Sequence, residues 1–226
     1  MTNPLLEAAL RRRLPTVAID SPAPSAATER CGSVGIDEQS AAEAAADHLL
    51  ALGHRRLGVL SLRLSASAQP GAAGARAQER ATASVARGRL EGAARAAAAA
   101  NLDWSRVAVE QCQVSDVASG RAGAHALLDR APGTTALLAL SDPLALGARL
   151  AARERGLAVP EDLSIVGFAD SAGDAEGLTT VHQPLREKGR AAAEQLLRML
   201  AGEEPTRTLL PTRLVVRGST ADAAGG

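Results

Sequence analysis

The chain has 226 residues, enough for one large domain or for two small lobes that each bury a hydrophobic core. Hydrophobic residues make up 46% of it and charged residues 22%, which is ordinary for a globular protein. Its 25 basic and 25 acidic residues cancel, which argues against a chain that grips nucleic-acid phosphates by itself, and its two cysteines are too few for a disulfide framework.

Helix-like and strand-like segments alternate along the chain, and this alternation predicts an α/β protein with parallel sheets covered by helices. Apolar spacing predicts helices over residues 4–13, 40–52, 85–100, 116–130, 143–155 and 185–200. Strands are predicted at residues 16–20, 56–60, 107–111, 135–140, 164–168 and 213–217. Gly53, Gly156 and Gly202 lie just after three of these helices, where a left-handed residue commonly ends a helix.

Residues 61–84 lack a clear period. They contain Pro70, Gly71, Gly74, several serines and several arginines. Proline and glycine interrupt regular structure, so this segment is predicted to be a mobile loop.

Polar residues follow three of the predicted strands. Asp20 ends the strand at 16–20, the pair Ser141-Asp142 follows the strand at 135–140, and Asp170 comes shortly after the strand at 164–168. Asp142 precedes a proline, a local pattern that is typical of a capped helix start. Ligands of open α/β sheets bind at the carboxyl ends of the strands, so these residues predict a binding edge.

Four sequence blocks have a recognisable order and spacing. They are HLLALGHRRLG at 48–58, SDPLALG at 141–147, VPEDLSIVGF at 159–168 and LTTVHQP at 178–184. Together they resemble the effector-binding core of the LacI/GalR family of bacterial transcription repressors. The resemblance runs from about Leu14 to Thr220 and so covers most of the chain.

The resemblance implies a two-lobed, periplasmic-binding-protein-like α/β fold in which a small effector binds in a cleft between the lobes. Residues 1–60 and 183–212 would form a partial N-terminal lobe, and residues 85–182 and 213–220 the C-terminal lobe. The segment 61–84 would be the loop, and 221–226 a tail. The family's helix-turn-helix headpiece, hinge helix and first two strand–helix units have no counterpart here, so the first lobe is expected to be incomplete.

The resemblance also implies roles for individual residues. Arg89 matches an arginine that holds the polar groups of the effector from the rim of the cleft, and its planar fork suits hydroxyl pairs or a carboxylate. Ser141 matches a polar effector contact, Asp20 a contact from the other lobe, and Gln183 a residue at the crossover between lobes. Outside the resemblance, Arg89 would be interpreted as a solvated helix residue.

Two departures bear on the effector. The family commonly has two aspartates after Gly-Phe, of which the first binds sugar hydroxyls, but here Ala169 stands first and only Asp170 remains as a candidate. A shift of one residue along an extended strand turns a side chain to the opposite face. Trp104 and Phe168 are the only aromatic residues, so an aromatic platform for a sugar ring has no clear source. His182 is interpreted as a strand or hinge residue.

The resulting hypothesis is the ligand-sensing core of a LacI-type repressor with a sugar-like effector. Operator DNA would be bound only through a headpiece that lies outside this chain, and the chain alone is not expected to bind it. A periplasmic-type solute-binding protein that serves a transporter is the alternative. An enzyme is not predicted, because no nucleophile elbow, phosphate-binding glycine loop or His-Glu-x-x-His helix occurs. No cofactor and no metal are predicted either.

The helix at 143–155 is the candidate dimer interface. Its apolar stripe extends from Leu144, Ala148 and Ala151 to Leu146 and Leu150, which is wider than one core contact requires. Burial between the sheet and a neighbouring helix would explain this stripe equally well. By resemblance, Leu146 lies at the centre of a two-fold homodimer interface. A cytoplasmic location is expected, because neither a signal peptide nor a membrane-spanning run is evident.

Overall fold

The computed structural model describes residues 4–20, 30–171 and 177–223, and its backbone divides into two compact units. Unit 1 consists of Met1–Asp37 and Gln183–Thr212. Unit 2 consists of Glu38–His182 and Arg213–Gly226. Each unit has its own sheet, so the mixed α/β character predicted from the sequence is confirmed.

The described residues of unit 1 form a three-stranded parallel sheet and two helices. In chain order its elements are α1 (Pro4–Arg11), β1 (Val17–Ile19), β2 (Gly32–Ile36), α7 (Leu185–Leu200) and β9 (Arg207–Leu210). The strand order is β1-β2-β9, and α7 packs against all three strands. A Cβ on Gly32 would lie 2.8 Å from the Gln195 side chain of α7, so a larger residue there would require that side chain to move.

Unit 2 is built on a seven-stranded sheet. Its first elements are α2 (Glu38–Ala51), β3 (Leu57–Ser61), β4 (Gly71–Ala72), α3 (Ala75–Glu79), α4 (Ser84–Ala99) and β5 (Ala108–Gln111). Then follow α5 (Val117–Arg130), β6 (Ala136–Ala139), α6 (Asp142–Glu154), β7 (Ser164–Ala169), β8 (Thr179–His182) and β10 (Arg213–Val215). The order is β10-β8-β7-β6-β3-β5-β4, in which only the two outermost strands among the described residues pair antiparallel.

The boundary between the units differs from the one predicted at residue 60. Residues 38–60 contain α2 and nearly all of β3, and both belong to unit 2. The reason is long-range packing, because β3 pairs with β5 and β6 in the middle of the sheet and α2 packs against α4. Residue 223 of the predicted tail also donates its amide to Leu52, whereas residues 224–226 lie outside the described part.

The segment 61–84 is folded, which corrects its prediction as a loop without structure. It contains β4 and α3, and the side chains of Leu64, Ala73 and Ala81 are buried. The Gln111 side chain accepts a hydrogen bond from the Leu64 amide at 3.0 Å and donates one to the carbonyl of Gln69. Small residues carry too weak an apolar period for this packing to be visible in the sequence.

Helices α5 and α6 pack with their backbones in close contact. A Cβ on Gly120 would lie 2.5 Å from the Leu144 carbonyl oxygen, and one on Gly147 would lie 2.3 Å from that of Val117. Against this pair the core is filled by fully buried side chains that include Leu127, Leu144 and Ile165. Strands β6 and β7 are buried along nearly their whole length, as expected for parallel strands covered by helices on both faces.

Candidate functional site

Polar side chains of unit 2 gather where its parallel strands end. Ser141 comes after β6. Ala169 is the last residue of β7 and Asp170 follows it, and His182 is the last residue of β8. These strands are neighbours in the sheet, so the four residues lie along one edge, which we call the carboxyl edge. The predicted binding edge therefore exists in unit 2 for Ser141 and Asp170, whereas Asp20 belongs to unit 1.

Arg89 reaches this edge from α4, and it is buried rather than solvated at a rim. Only 6% of the residue is exposed. Its Nε donates to Glu38 Oε2 at 2.6 Å, and its Nη1 donates to the carbonyl oxygen of Leu140 at 2.6 Å. Burial of a guanidinium requires this kind of pairing, because an unpaired charge in the interior is strongly destabilising.

An aromatic ring completes the support of Arg89. Its guanidinium carbon lies 3.7 Å from the centroid of the Phe168 ring, a cation–π contact. Phe168 is fully buried, so its ring supports the arginine and offers no open face to a sugar. The other aromatic residue, Trp104, donates its indole N–H to Gln78, outside the carboxyl edge. Fixed on three sides, the guanidinium has a defined orientation.

Ser141, and not Asp142, caps α6. The Ser141 hydroxyl accepts from the Leu144 amide at 3.4 Å and from the Ser115 hydroxyl at 2.8 Å. Asp142 is 1% exposed and accepts instead from Thr180 Oγ1 at 2.6 Å and from the Ser171 amide at 2.6 Å. Asp142 thus ties the start of α6 to β8 and to the segment after β7, a role that the local Asp-Pro pattern did not indicate.

Asp170 is fully engaged by two cationic or polar partners. Its Oδ1 accepts from Arg217 Nη2 at 2.8 Å, and its Oδ2 lies 2.9 Å from His182 Nδ1. Burial by itself would raise the pKa of Asp170, but the hydrogen bonds and charges of His182 and Arg217 outweigh burial and hold that pKa below its usual range. Both oxygens of the Asp170 carboxylate therefore have a partner, and the carboxylate fixes the positions of the Arg217 and His182 side chains.

The backbone at the end of β7 is unusual. Ala169 has φ of 136° and Asp170 has φ of 58°, values that residues with a side chain rarely adopt. Such conformations persist where surrounding contacts enforce them, and they concentrate at binding and catalytic sites. Neither value could be inferred from the sequence, since no glycine marks these positions.

In unit 1, Asp20 and Gln183 are brought together by a residue that the sequence did not single out. Lys188 Nζ donates to both oxygens of Asp20, at 2.7 and 2.8 Å, and to Gln183 Oε1 at 2.6 Å. These three bonds use all the donors of the ammonium group, which is why Lys188 is tolerated at 2% exposure. In the sequence, only the position of Lys188 in the first turns of α7, five residues after Gln183, could have indicated that it contacts Gln183.

Leu146 lies on α6 between the core and the surface. It is partly buried and packs against the core cluster, whereas Leu150 is 40% exposed. Leu144, Ala148 and Ala151 are fully buried, so they face the core and not a partner. The apolar stripe of α6 is therefore divided between the core and an exposed part.

Two classes of site receive no support from the described residues. No group of three or more His, Cys, Asp or Glu side chains within residues 4–20, 30–171 and 177–223 could hold a metal ion. Among the helices in those same ranges, none has the length and apolar character that crossing a membrane requires. Both cysteines are free thiols, and burial raises the pKa of Cys112 to about 12, which makes it a poor nucleophile.

Comparison with known proteins identifies relatives along almost the whole chain. The family model of the periplasmic binding protein-like domain matches residues 46–220. The HTH-type transcriptional regulator Rv3575c of Mycobacterium tuberculosis is 37% identical over 221 residues, which cover 97% of this chain and 60% of that protein.

Two solved structures extend this comparison. A LacI-family transcriptional regulator from Corynebacterium glutamicum has a TM-score of 0.89 at 32% identity, over 98% of this chain and 64% of that one. The complex of the transcriptional regulator CelR with cellobiose has a TM-score of 0.76 at 31% identity, over 92% and 59% of the two chains. The chain thus spans between 59% and 64% of the length of these three regulators.

Proposed function

Since this chain belongs to the periplasmic binding protein-like domain family and is similar to transcriptional regulators of the LacI family, we propose that it is the ligand-sensing core of such a regulator. A small polar effector binds at the carboxyl edge of unit 2, and its occupancy is communicated to a DNA-binding segment outside this sequence. The named relatives are regulators, which favours a sensor over an enzyme or a transporter-linked binding protein.

The orientation of Arg89 is the observation that carries this proposal. A guanidinium has five N–H donors, and only the Nε and Nη1 groups donate to described residues, namely Glu38 and Leu140. Glu38, Leu140 and Phe168 prevent the side chain from swinging away. The remaining donors are therefore pre-organised for an oxygen-rich ligand, which lowers the entropic cost of binding.

The neighbouring groups favour a ligand with hydroxyls. The Ser115 and Ser141 hydroxyls form a pair at the carboxyl edge, and Ser115 is exposed. Asp170 contributes indirectly, because its carboxylate holds the side chains of Arg217 and His182 in place. In unit 1, Asp20 and Gln183 are also proposed to contact the effector, and Asp20 keeps 31% of its side chain exposed. The complex of CelR with cellobiose makes a carbohydrate the first effector class to test.

Association of the sensor completes the proposal. Two copies form a homodimer through α6, with Leu146 at the interface and Leu150 beside it. The exposed fraction of Leu150 supports this face, since an apolar side chain there gains a partner on association. The DNA-binding segment of the whole regulator reads operator DNA as a dimer, in keeping with the HTH-type name of its relative.

Isothermal titration of the 226-residue chain with cellobiose, D-glucose, D-ribose and D-gluconate tests the proposed site. We expect saturable binding of at least one compound. Arg89→Lys retains the charge but loses the planar fork, and it should weaken that binding by roughly tenfold to a hundredfold. Arg95→Ala, on the exposed side of the same helix, is the matched control and should leave affinity unchanged. Absence of binding by all four compounds would contradict the proposed function.

A further inference from the structure

We propose that His182 contacts the effector directly, as an acceptor for a ligand hydroxyl, and that Asp170 and Arg217 are the residues that position it. The inference rests on the proposed function, and it narrows the effector to a neutral hydroxyl donor. His182 is the last residue of β8, at the carboxyl edge.

Arg217, Asp170 and His182 form a row of hydrogen-bonded side chains that begins at a buried group and ends at a partly exposed one. Arg217 Nη2 donates to Asp170 Oδ1 at 2.8 Å, and Asp170 Oδ2 lies 2.9 Å from His182 Nδ1. The side chains of Arg217 and Asp170 are only 12% and 11% exposed, whereas that of His182 is 36% exposed. The two buried groups thus hold an imidazole that is itself partly exposed.

This arrangement sets the tautomer of the ring. An ionised carboxylate can only accept hydrogen bonds, so Nδ1 of His182 must carry the proton that faces Asp170. In the neutral imidazole Nε2 is then left with a lone pair, and it has no hydrogen-bond partner among the residues that the structure describes. A held ring with a free acceptor at its exposed side is suited to an incoming O–H group.

The strained backbone after β7 has a clear role in this arrangement. Ala169 is the Cα partner of His182 in the parallel register, so Asp170 lies one residue beyond the paired position. In a regular extended strand, the side chain of Asp170 would project from the face opposite that of a residue paired with His182. The positive φ values at Ala169 and Asp170 interrupt the extended run, and the Asp170 carboxylate lies beside the imidazole.

The residue paired with His182 brings no polar side chain of its own. Ala169 carries only a methyl group, which neither donates nor accepts a hydrogen bond, so it does not compete with a ligand for the imidazole. The polar group that this part of the edge offers is the imidazole of His182, held by Asp170.

The chemistry of the acceptor selects the class of ligand. A neutral nitrogen lone pair attracts a hydroxyl hydrogen and repels the lone pairs of a carboxylate or phosphate oxygen. Arg89 can interact with either class, so His182 is the residue that distinguishes a neutral polyol from an organic anion. We therefore expect a carbohydrate to bind in preference to a sugar acid.

A purely structural role for the cluster makes different predictions. Arg217 also donates to the carbonyl oxygen of Leu178 at 2.8 Å, and its amide donates to Thr179, so it joins the segment after β10 to β8 without any help from Nε2 of His182. A structural tie would need Asp170 and Nδ1 alone. The state of Nε2 during ligand binding therefore distinguishes the two roles.

Nitrogen-15 labelling of histidine, read by long-range imidazole correlation spectra, provides that test on the 226-residue chain. Before ligand is added, His182 should carry a proton on Nδ1, the nitrogen that faces Asp170. Titration with cellobiose, D-glucose or D-ribose should shift the Nε2 signal of His182, while His48, His54 and His125 serve as internal references.

Variants test the same point by affinity. His182→Ala should weaken carbohydrate binding roughly tenfold, as expected for loss of one hydrogen bond that leaves a ligand hydroxyl unpaired. Asp170→Asn should weaken binding less and give a mixture of tautomers. His125→Ala is a matched control, because His125 is likewise partly exposed and lies 2.8 Å from a carboxylate oxygen, that of Glu154.

Four outcomes are decisive. Binding of a carbohydrate with a shifted Nε2 and a weakened His182→Ala variant supports the inference. Binding with an unmoved Nε2 and an unaffected variant overturns the inference while the proposed function stands, and binding of gluconate alone overturns the ligand class. Failure of all four compounds to bind overturns the proposed function and, with it, the role of His182.

Discussion

Arg89 Nε lies 2.6 Å from Glu38 Oε2, although 51 positions separate the two residues in the chain. Their side chains are only 7% and 14% exposed, and no described residue accepts or donates a hydrogen bond at Glu38 Oε1. The pair joins the first turn of α2 to α4 beside the carboxyl edge. A proposed ligand contact is thus also part of the folded interior of unit 2.

Replacement of this arginine is expected to lower stability as well as affinity. Arg89→Ala should reduce the free energy of unfolding by about 3 kcal/mol, because it leaves the Glu38 carboxylate buried without its cation. Urea denaturation measures this change. The double variant Arg89→Ala with Glu38→Ala should recover part of the loss, since no charge is then left behind. Equal stability of Arg89→Ala and the parent would contradict the buried pairing.

Unfolding should depend on pH through two histidines, of which His54 is buried and His48 is partly buried. Burial lowers the pKa of His48, and the nearby His54 lowers it further. Burial also lowers the pKa of His54, only partly opposed by the Ala221 carbonyl and by Asp222. The folded state therefore binds fewer protons than the unfolded state, so stability is full above the ordinary histidine value of 6.5 and falls as the pH drops below it.

Urea unfolding at a series of pH values between about 7.5 and 5.5 checks this direction. His54 contacts Thr135 and the Ala221 carbonyl, and His48 contacts Thr220, so protonation acts on the docking of residues 220–221. The double variant His48→Gln with His54→Gln should show a flatter pH profile. The lowered pKa of Asp170 does not interfere, because its contribution is lost only at more acidic pH. A parent profile that rises toward pH 5.5 would refute the assignment.

A matched pair of glycine substitutions tests the packing of α5 against α6. Gly147→Ala should destabilise the protein by roughly 2 kcal/mol or more, because its Cβ would lie 2.3 Å from a backbone oxygen. Gly189→Ala lies in the exposed part of α7 with nothing within 4 Å of the added Cβ, and it should stabilise by up to about 1 kcal/mol. Thermal unfolding followed by circular dichroism compares them, and a similar sign for both changes would argue against the close approach.

The proposed dimer is tested with two leucines of α6. Leu146→Glu should give monomers in sedimentation velocity, because a charge in a self-complementary interface is repeated across the two-fold axis. Leu146 also contacts the core, so loss of folding could imitate this result. Leu150→Glu changes a side chain that is already 40% exposed and should dissociate the dimer without a loss of helix content. Dimers that survive both substitutions would rule out this face.

The organisation of the chain into strands and helices was available from the sequence because it depends on local patterns. Apolar spacing predicted the main helices to within about two residues, a usual error for helix ends. Gly53, Gly156 and Gly202 were predicted to end helices, and their φ values of 86°, 71° and 95° confirm it. The short strands β2 and β9 were missed, since four or five residues that include glycine or polar side chains carry little periodic signal.

The α/β class, the family and the edge at which polar residues collect could be inferred from the sequence alone, because strand ends and family blocks are contiguous in the chain. Which of these residues act on one another depends on the tertiary structure. Glu38 meets Arg89, Lys188 joins Asp20 to Gln183, and Asp170 turns toward His182 through long-range packing and backbone conformations that no local pattern encodes. Burial then determines whether each charged group pairs with another residue in the core, remains available to a ligand, or does both. The reason is that a charge without a partner is tolerated in water and not in the core.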